Sequence, residues 1–140
     1  KGTITVFGGK QMRPNIHVDD LADLYVLLLD LPNTKIAGKT FNAGYQNHTV
    51  EEIAQMVKRA VEKEMPEKAP IRIDTSPSND LRSYHVSSKK IAVEIGFVPK
   101  RSVEDAVRDI CRAFKAGKLP DSLTDDTYFN VKTVKKLCLT

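Results

Sequence analysis

The sequence predicts an α+β fold on three observations: short runs alternate like half-buried strands, longer runs carry helical spacing with cap residues, and no internal repeat points to a solenoid or propeller. Thr3 to Phe7 reads as the first strand, and Gly8, Gly9 and Lys10 turn it towards a second over Arg13 to Val18. In that second run Ile16 and Val18 share one side, Asn15 and His17 the other, and Arg13 stands at the far end. Asp19 or Asp20 then caps a helix whose apolar positions Leu21, Ala22, Tyr25, Leu28 and Leu29 recur at helical spacing, with Pro32 stopping it after Leu31. A further short strand is expected over Thr40 to Ala43, with Asn42 and Gly44 shaping the turn at its end.

Thr49 followed by Glu52 is a capping box, and the stripe Val50, Ile53, Ala54, Val57, Ala60, Val61 makes the next helix amphipathic. "PIRID" is a brief strand, and "TSPSNDLRSYHV" is a polar loop. Ser87 or Ser88 starts a short helix that runs through Ile95 and stops at Gly96, with Pro99 beyond. Ser102 caps another, with the stripe Val103, Ala106, Val107, Ile110, Cys111, Phe114 and a basic end at Arg112 and Lys115 that suits the helix dipole. A last helix over Asp125 to Leu137 is weakly patterned, which brings the expectation to four to five helices among short strands in one domain over residues 1–140.

Composition narrows the function classes. Lys and Arg number 22 against 18 acidic residues, a mild +4 that suits an anionic ligand without being a nucleic-acid signature, because the basic residues are scattered among acids. Of the two cysteines, Cys111 and Cys138, the first lies on the apolar face of a helix, so neither a disulfide framework nor a zinc site is supported, and a reducing, cytoplasmic setting is expected. The most apolar run, "LYVLLLDL", is far shorter than the roughly 20 residues of a membrane span, so no membrane partner is expected. The chain opens in mid-pattern, without a start methionine, and is expected to be a piece of something longer.

Two loops concentrate groups suited to a phosphorylated ligand. The first ends in Arg13, and the second places Asp80, Arg82 and Tyr84 at alternate positions. A guanidinium fork donates two parallel hydrogen bonds to phosphate oxygens, a carboxylate can accept from ribose hydroxyls, and a tyrosine offers a ring and a donor. Spacing alone leaves a second reading open, in which both arginines are solvated or pair with neighbouring aspartates.

The order of five segments carries a resemblance. A strand and turn "VFGG", then "RPNIHVDD", then "FNAG" with the "TVEE" helix, then "DLR", then "SKKIAVEIGFVP" follow one another over about residues 3–110. In this order they resemble the C-terminal, substrate-binding half of the extended short-chain dehydrogenases of the NAD-dependent nucleotide-sugar epimerase/dehydratase family. The resemblance implies that Arg13 contacts a nucleotide sugar's diphosphate, that Arg82 and Asp80 lie near the phosphate and ribose, and that Val6 and Phe7 lie against the base. It implies a structural role for His17. Ser87 stands where relatives often carry an aspartate and Ile95 where they carry a leucine, and residues 117–140 have no counterpart in the pattern.

By the same resemblance the parent is an NAD(P)-dependent enzyme in which the cofactor takes a hydride from a sugar carbon while a tyrosine moves the hydroxyl proton. No G-x-G-x-x-G turn follows a strand here, so the Rossmann core, the cofactor site and the catalytic tyrosine–lysine pair are expected in a missing N-terminal half. This piece is accordingly expected to hold no catalytic residue and no cofactor of its own and to bind a nucleoside-diphosphate sugar, with the missing half and a homo-oligomer as its candidate protein partners. Tyr128 and Lys132 have the family's catalytic spacing but follow every other landmark, and the match is read as a coincidence of a short helix. The rival classes are an assembly module built on the tail and the Ser102 helix, and a basic nucleic-acid-binding module.

Overall fold

A computed structural model describes residues 2–80 and 82–137. Strands β1 (Thr3–Phe7) and β2 (Met12–Asn15) are followed by helices α1 (Val18–Asp30) and α2 (Asn33–Ile36), strand β3 (Gln46–Thr49) and helix α3 (Val50–Glu64). Strand β4 (Arg72–Ser76) and helices α4 (Lys89–Ile95), α5 (Val103–Lys115) and α6 (Asn130–Lys136) complete it. The α+β class stands, and the helix count exceeds the expected four to five because α2, a single turn after Pro32, adds one. Two 3-10 turns, Pro66–Lys68 and Asp126–Tyr128, supplement them. No helix among the described residues is long and apolar enough to cross a membrane.

The strands form two ladders. β1 and β4 pair in parallel with Thr3 opposite Arg72 and Phe7 opposite Ser76, so both chains leave this ladder at the same end. β2 and β3 pair antiparallel with Arg13 opposite His48. One core gathers Leu24 of α1 with Ile91, Ile95 and Phe97 at α4, and a second gathers Ala60 of α3 with Val107 and Cys111 of α5.

The capping box at Thr49 forms as expected: the Glu52 amide donates to Thr49 Oγ1 at 3.1 Å and the Thr49 amide to Glu52 Oε2 at 2.7 Å. Ser102 and Asp105 form the equivalent box on α5, which the sequence reading did not note. Gly96 closes α4 with φ +76°, a left-handed cap that only glycine adopts without strain.

Four expectations need correction. Neither Asp19 nor Asp20 caps α1: His17 does, its backbone extended and its Nδ1 accepting from the Asp19 amide at 3.1 Å. β2 also ends at Asn15, three residues before Val18, because its partner β3 begins at Gln46, opposite Asn15, and leaves Ile16 and His17 without a ladder neighbour. The segment Thr40 to Ala43 is no strand. It lies along α4, where Lys90 Nζ donates to the Thr40 carbonyl at 2.9 Å and sits 5.1 Å from the Phe41 ring, so α4 side chains meet the polar groups that a strand neighbour would otherwise meet. Ser88 occupies the N-cap position of α4 but turns its hydroxyl to Gly44, accepting from that amide at 2.8 Å and donating to its carbonyl at 2.7 Å.

Helix α1 is apolar on both faces. Leu24 is buried and Leu21, Leu27 and Leu28 are partly buried against the first core, while Val18, Tyr25, Val26 and Leu29 are exposed, Leu29 to 85%. Such a helix normally lies between two packed layers.

Candidate functional site

Parallel strands β1 and β4 end side by side at Phe7 and Ser76, and the two loops singled out in the sequence both start there. After β1, Gly8 and Gly9 turn the chain with φ of +80° and +117°, held by Gln11, whose Nε2 donates to the Phe7 carbonyl at 2.6 Å and whose Oε1 accepts from the Gly9 amide at 2.7 Å. The turn opens into β2, not into a helix, and the α3 N-terminus that reaches it spends its first amides on the turn itself, Val50 on the Gln11 carbonyl at 3.1 Å and Glu51 on the Gly9 carbonyl at 3.0 Å, so these residues do not fit a dinucleotide pyrophosphate.

After β4 the second loop lies against β2. The Met12 amide donates to Ser83 Oγ at 2.9 Å and the Tyr84 amide to the Met12 carbonyl at 3.1 Å. At its far end the Val86 amide donates to Asn47 Oδ1 at 2.9 Å, and Asn47 Nδ2 donates to the Val86 carbonyl at 3.0 Å. Ser83 and Asn47 therefore place the loop. Neither is signalled in the sequence, because a side chain that pins a backbone 39 positions away obeys no local spacing rule.

The arrangement brings four predicted residues together. Arg13 Nη1 donates to the Arg82 carbonyl at 2.7 Å, its Nη2 lies 3.6 Å from Asp80 Oδ2, and its guanidinium is 5.5 Å from the Tyr84 ring centroid. Arg82 forks onto Asp80, with Nε 2.7 Å from Oδ1 and Nη2 2.9 Å from Oδ2. That fork, with the Arg82 amide, holds the Asp80 carboxyl down at about 2, and Asp80 in turn raises the Arg82 guanidinium above its already high value. Two cations thus face one carboxylate on an open rim, where the Arg82 side chain is 72% exposed. In this state both arginines pair with Asp80, the arrangement that the second reading of the sequence describes.

Phe7 is exposed at the end of β1, whereas Val6 is 1% exposed, so its side chain belongs to the interior and only its backbone can meet a ligand. His17 is buried, with Nε2 3.5 Å from Asp109 Oδ2. His17, Asp19 and Asp109 bring potential metal-ligand atoms within 4.8 Å of one another, but both ring nitrogens already have partners, Nδ1 in the Asp19 amide at the start of α1 and Nε2 in Asp109 of α5. Tyr128 lies in the 3-10 turn and Lys132 in α6, where its ammonium meets Asp126 at 3.2 Å and the Phe129 ring at 4.5 Å. Cys138 and Leu81 lie outside the described residues.

Comparison with known proteins follows the same lines. Residues 1–44 match the model of the NAD dependent epimerase/dehydratase family. Over 103 residues the chain is 31% identical to a bifunctional UDP-glucose 4-epimerase and UDP-xylose 4-epimerase of Arabidopsis thaliana, covering 72% of this chain and 28% of that protein. In fold it resembles the L-threonine dehydrogenase of Phytophthora infestans, with TM-score 0.64 and 17% identity over 82% of this chain and 37% of that one. It likewise resembles the UDP-glucose 4-epimerase of Thermotoga maritima solved with UDP-glucose, with TM-score 0.61 and 19% identity over 81% of this chain and 35% of that one. The chain spans 28% of the curated relative and little more than a third of these two solved chains. The two solved neighbours are named for unlike substrates, so the fold by itself selects none.

Proposed function

We propose, from the premise that the chain belongs to the NAD-dependent epimerase/dehydratase family, that it is the nucleotide-sugar-binding portion of a longer NAD(P)-dependent epimerase or dehydratase, forming one α+β unit with its tail as an addition. The observation that carries this reading is the convergence of Arg13, Arg82, Asp80 and Tyr84 from two loops onto one rim. A diphosphate brings two negative charges to a place where two guanidiniums share a single carboxylate, and arginine forks match its oxygens. Asp80 then exchanges part of its arginine pairing for ribose hydroxyls, Tyr84 lies along the nucleotide, and Phe7 with the Val6 backbone meets the base. The chain's residues bind and orient, while the dinucleotide and the proton-moving groups belong to the part of the enzyme outside this sequence. The exposed stripe of α1, Val18, Tyr25, Val26 and Leu29, packs against that part.

Titrating the full-length enzyme with UDP, and separately with L-threonine, tests the assignment. Replacing Arg13 or Arg82 with alanine is expected to weaken UDP binding about tenfold to a hundredfold, the loss of charge-assisted hydrogen bonds, with NAD(P) affinity unchanged. Equal UDP affinity in wild type and both variants, or saturable L-threonine binding with none for UDP, overturns it.

A further inference from the structure

Helices α3 and α5 leave a groove of about 730 Å³ lined by Val57, Val61, Met65, Ile110, Cys111 and Phe114. Ile110 is 53% and Phe114 46% exposed, on a helix that buries Val107 and Cys111 in the second core. The tail carries a matching surface: Val131, Val134 and Leu137 recur at near-helical intervals and are all exposed. Charge also matches. The carboxylates of Glu64 and Glu67 stand near the groove, where with burial they push the Cys111 thiol up, and neither forms an ion pair among the described residues. Lys115 on the same rim is drawn to the Glu64 carbonyl. Helix α6, with the sequence NVKTVKK, carries Lys132, Lys135 and Lys136 and no acid, and of these only Lys132 pairs within 4 Å among the described residues.

We infer that the α3–α5 groove receives helix α6 of a second copy of this chain. In this structure the chain's own α6 turns back on the 3-10 turn through Lys132 and Thr133, which bind Asp126, and leaves its own groove open. Seven residues of α6 span roughly 10 Å and fit beside α5, whose 13 residues span roughly 20 Å. Exchange in both directions gives a closed two-fold pair, each copy offering groove and helix. Val131, Val134 and Leu137 then cover Ile110 and Phe114, and Lys135 and Lys136 approach Glu64 and Glu67.

The test is a zero-length carbodiimide cross-link on the full-length protein, with unlabelled and 15N-labelled copies refolded together, read by mass spectrometry. Peptide pairs joining Glu64 or Glu67 to Lys135 or Lys136 with one label of each kind are the expected result. The same pairs found only with matched labels place α6 in its own groove, and their absence where other cross-links form leaves the groove to something else; either overturns the inference. Ile110→Asp, at a half-exposed position that tolerates a charge, is expected to lower the mixed-label pairs about tenfold.

Discussion

Asp20 and Asp80 each meet an arginine through short charge-assisted hydrogen bonds, in opposite surroundings. Asp20 is 2% exposed: its Oδ2 accepts from the Lys100 and Arg101 amides at 3.0 and 2.8 Å, and its Oδ1 from Arg101 Nη1 at 2.6 Å. This ties α1 to the segment before α5, some 80 positions on. Asp80 grips a neighbour two positions away on an open rim. In the first pair both carboxylate oxygens are spent on the fold, and the Asp20 end is closed to water although the Arg101 side chain is partly exposed. In the second the partners are solvated, local and redundant with Arg13, so a ligand can displace one without unfolding anything. The same two residue types serve as a latch in one place and as an open grip in the other, and burial decides which.

The sharpest way to break this contrast is Asp20→Ala. It strands the Lys100 and Arg101 amides, while the guanidinium keeps Asp23 at 2.8 Å, and is expected to lower unfolding stability by about 3 kcal/mol, measured by urea denaturation. Asp80→Ala should leave the urea midpoint unchanged. A comparable loss from Asp80→Ala would erase the distinction. The Asp20 contribution also has a pH sign. Burial raises its pKa, but the Arg101 and Lys100 amides and the guanidinium outweigh burial and hold it below the ordinary range. A depressed carboxyl stabilises fully above its unfolded value, near about pH 4, and loses that contribution as pH falls through the folded value. Stability of wild type relative to Asp20→Ala should therefore shrink in acid, which urea midpoints between neutral pH and about pH 3 will show.

Next in size is Arg82→Lys in the full-length enzyme. It keeps the charge and loses the fork, so UDP affinity is expected to fall by less than for the alanine variant, with a urea midpoint like that of wild type. Full retention of affinity by lysine would mean that charge alone matters on the rim. Below that comes Thr49→Ala, expected to cost about 1 kcal/mol of stability by removing the α3 cap, with UDP affinity unaltered. The smallest effect belongs to Tyr128→Phe, which should leave turnover by the full-length enzyme unchanged, since Lys132 is occupied by Asp126 and Phe129.

What was legible in the sequence was local. Thr49 with Glu52, Gly96 after Ile95 and the stripe of α5 all act within four or five residues, so their spacing carries their role. Asp20 did not reveal itself, because an aspartate beside a helix start looks like a cap until Arg101 is placed beside it. Thr40 to Ala43 failed as a strand for the same kind of reason: Lys90, fifty positions on, meets its backbone. At the candidate site, Arg13, Asp80, Arg82 and Tyr84 were named from chemistry and resemblance, while Ser83 and Asn47, which set the loop, were missed.

The parallel ladder of β1 and β4 has a consequence for how the chain folds. Thr3 faces Arg72, so everything from the first loop through α3 lies inside the closure that this ladder makes. Holding together the ends of a loop of that length costs roughly 4 kcal/mol of chain entropy by the logarithmic scaling, before any pairing is gained. The antiparallel ladder of β2 with β3, where Arg13 faces His48, and the packing of α3 on α5 close shorter loops and cost less chain entropy. The β1–β4 ladder is therefore the costlier of the two to close, and its pairing depends on the enclosed elements holding Thr3 near Arg72.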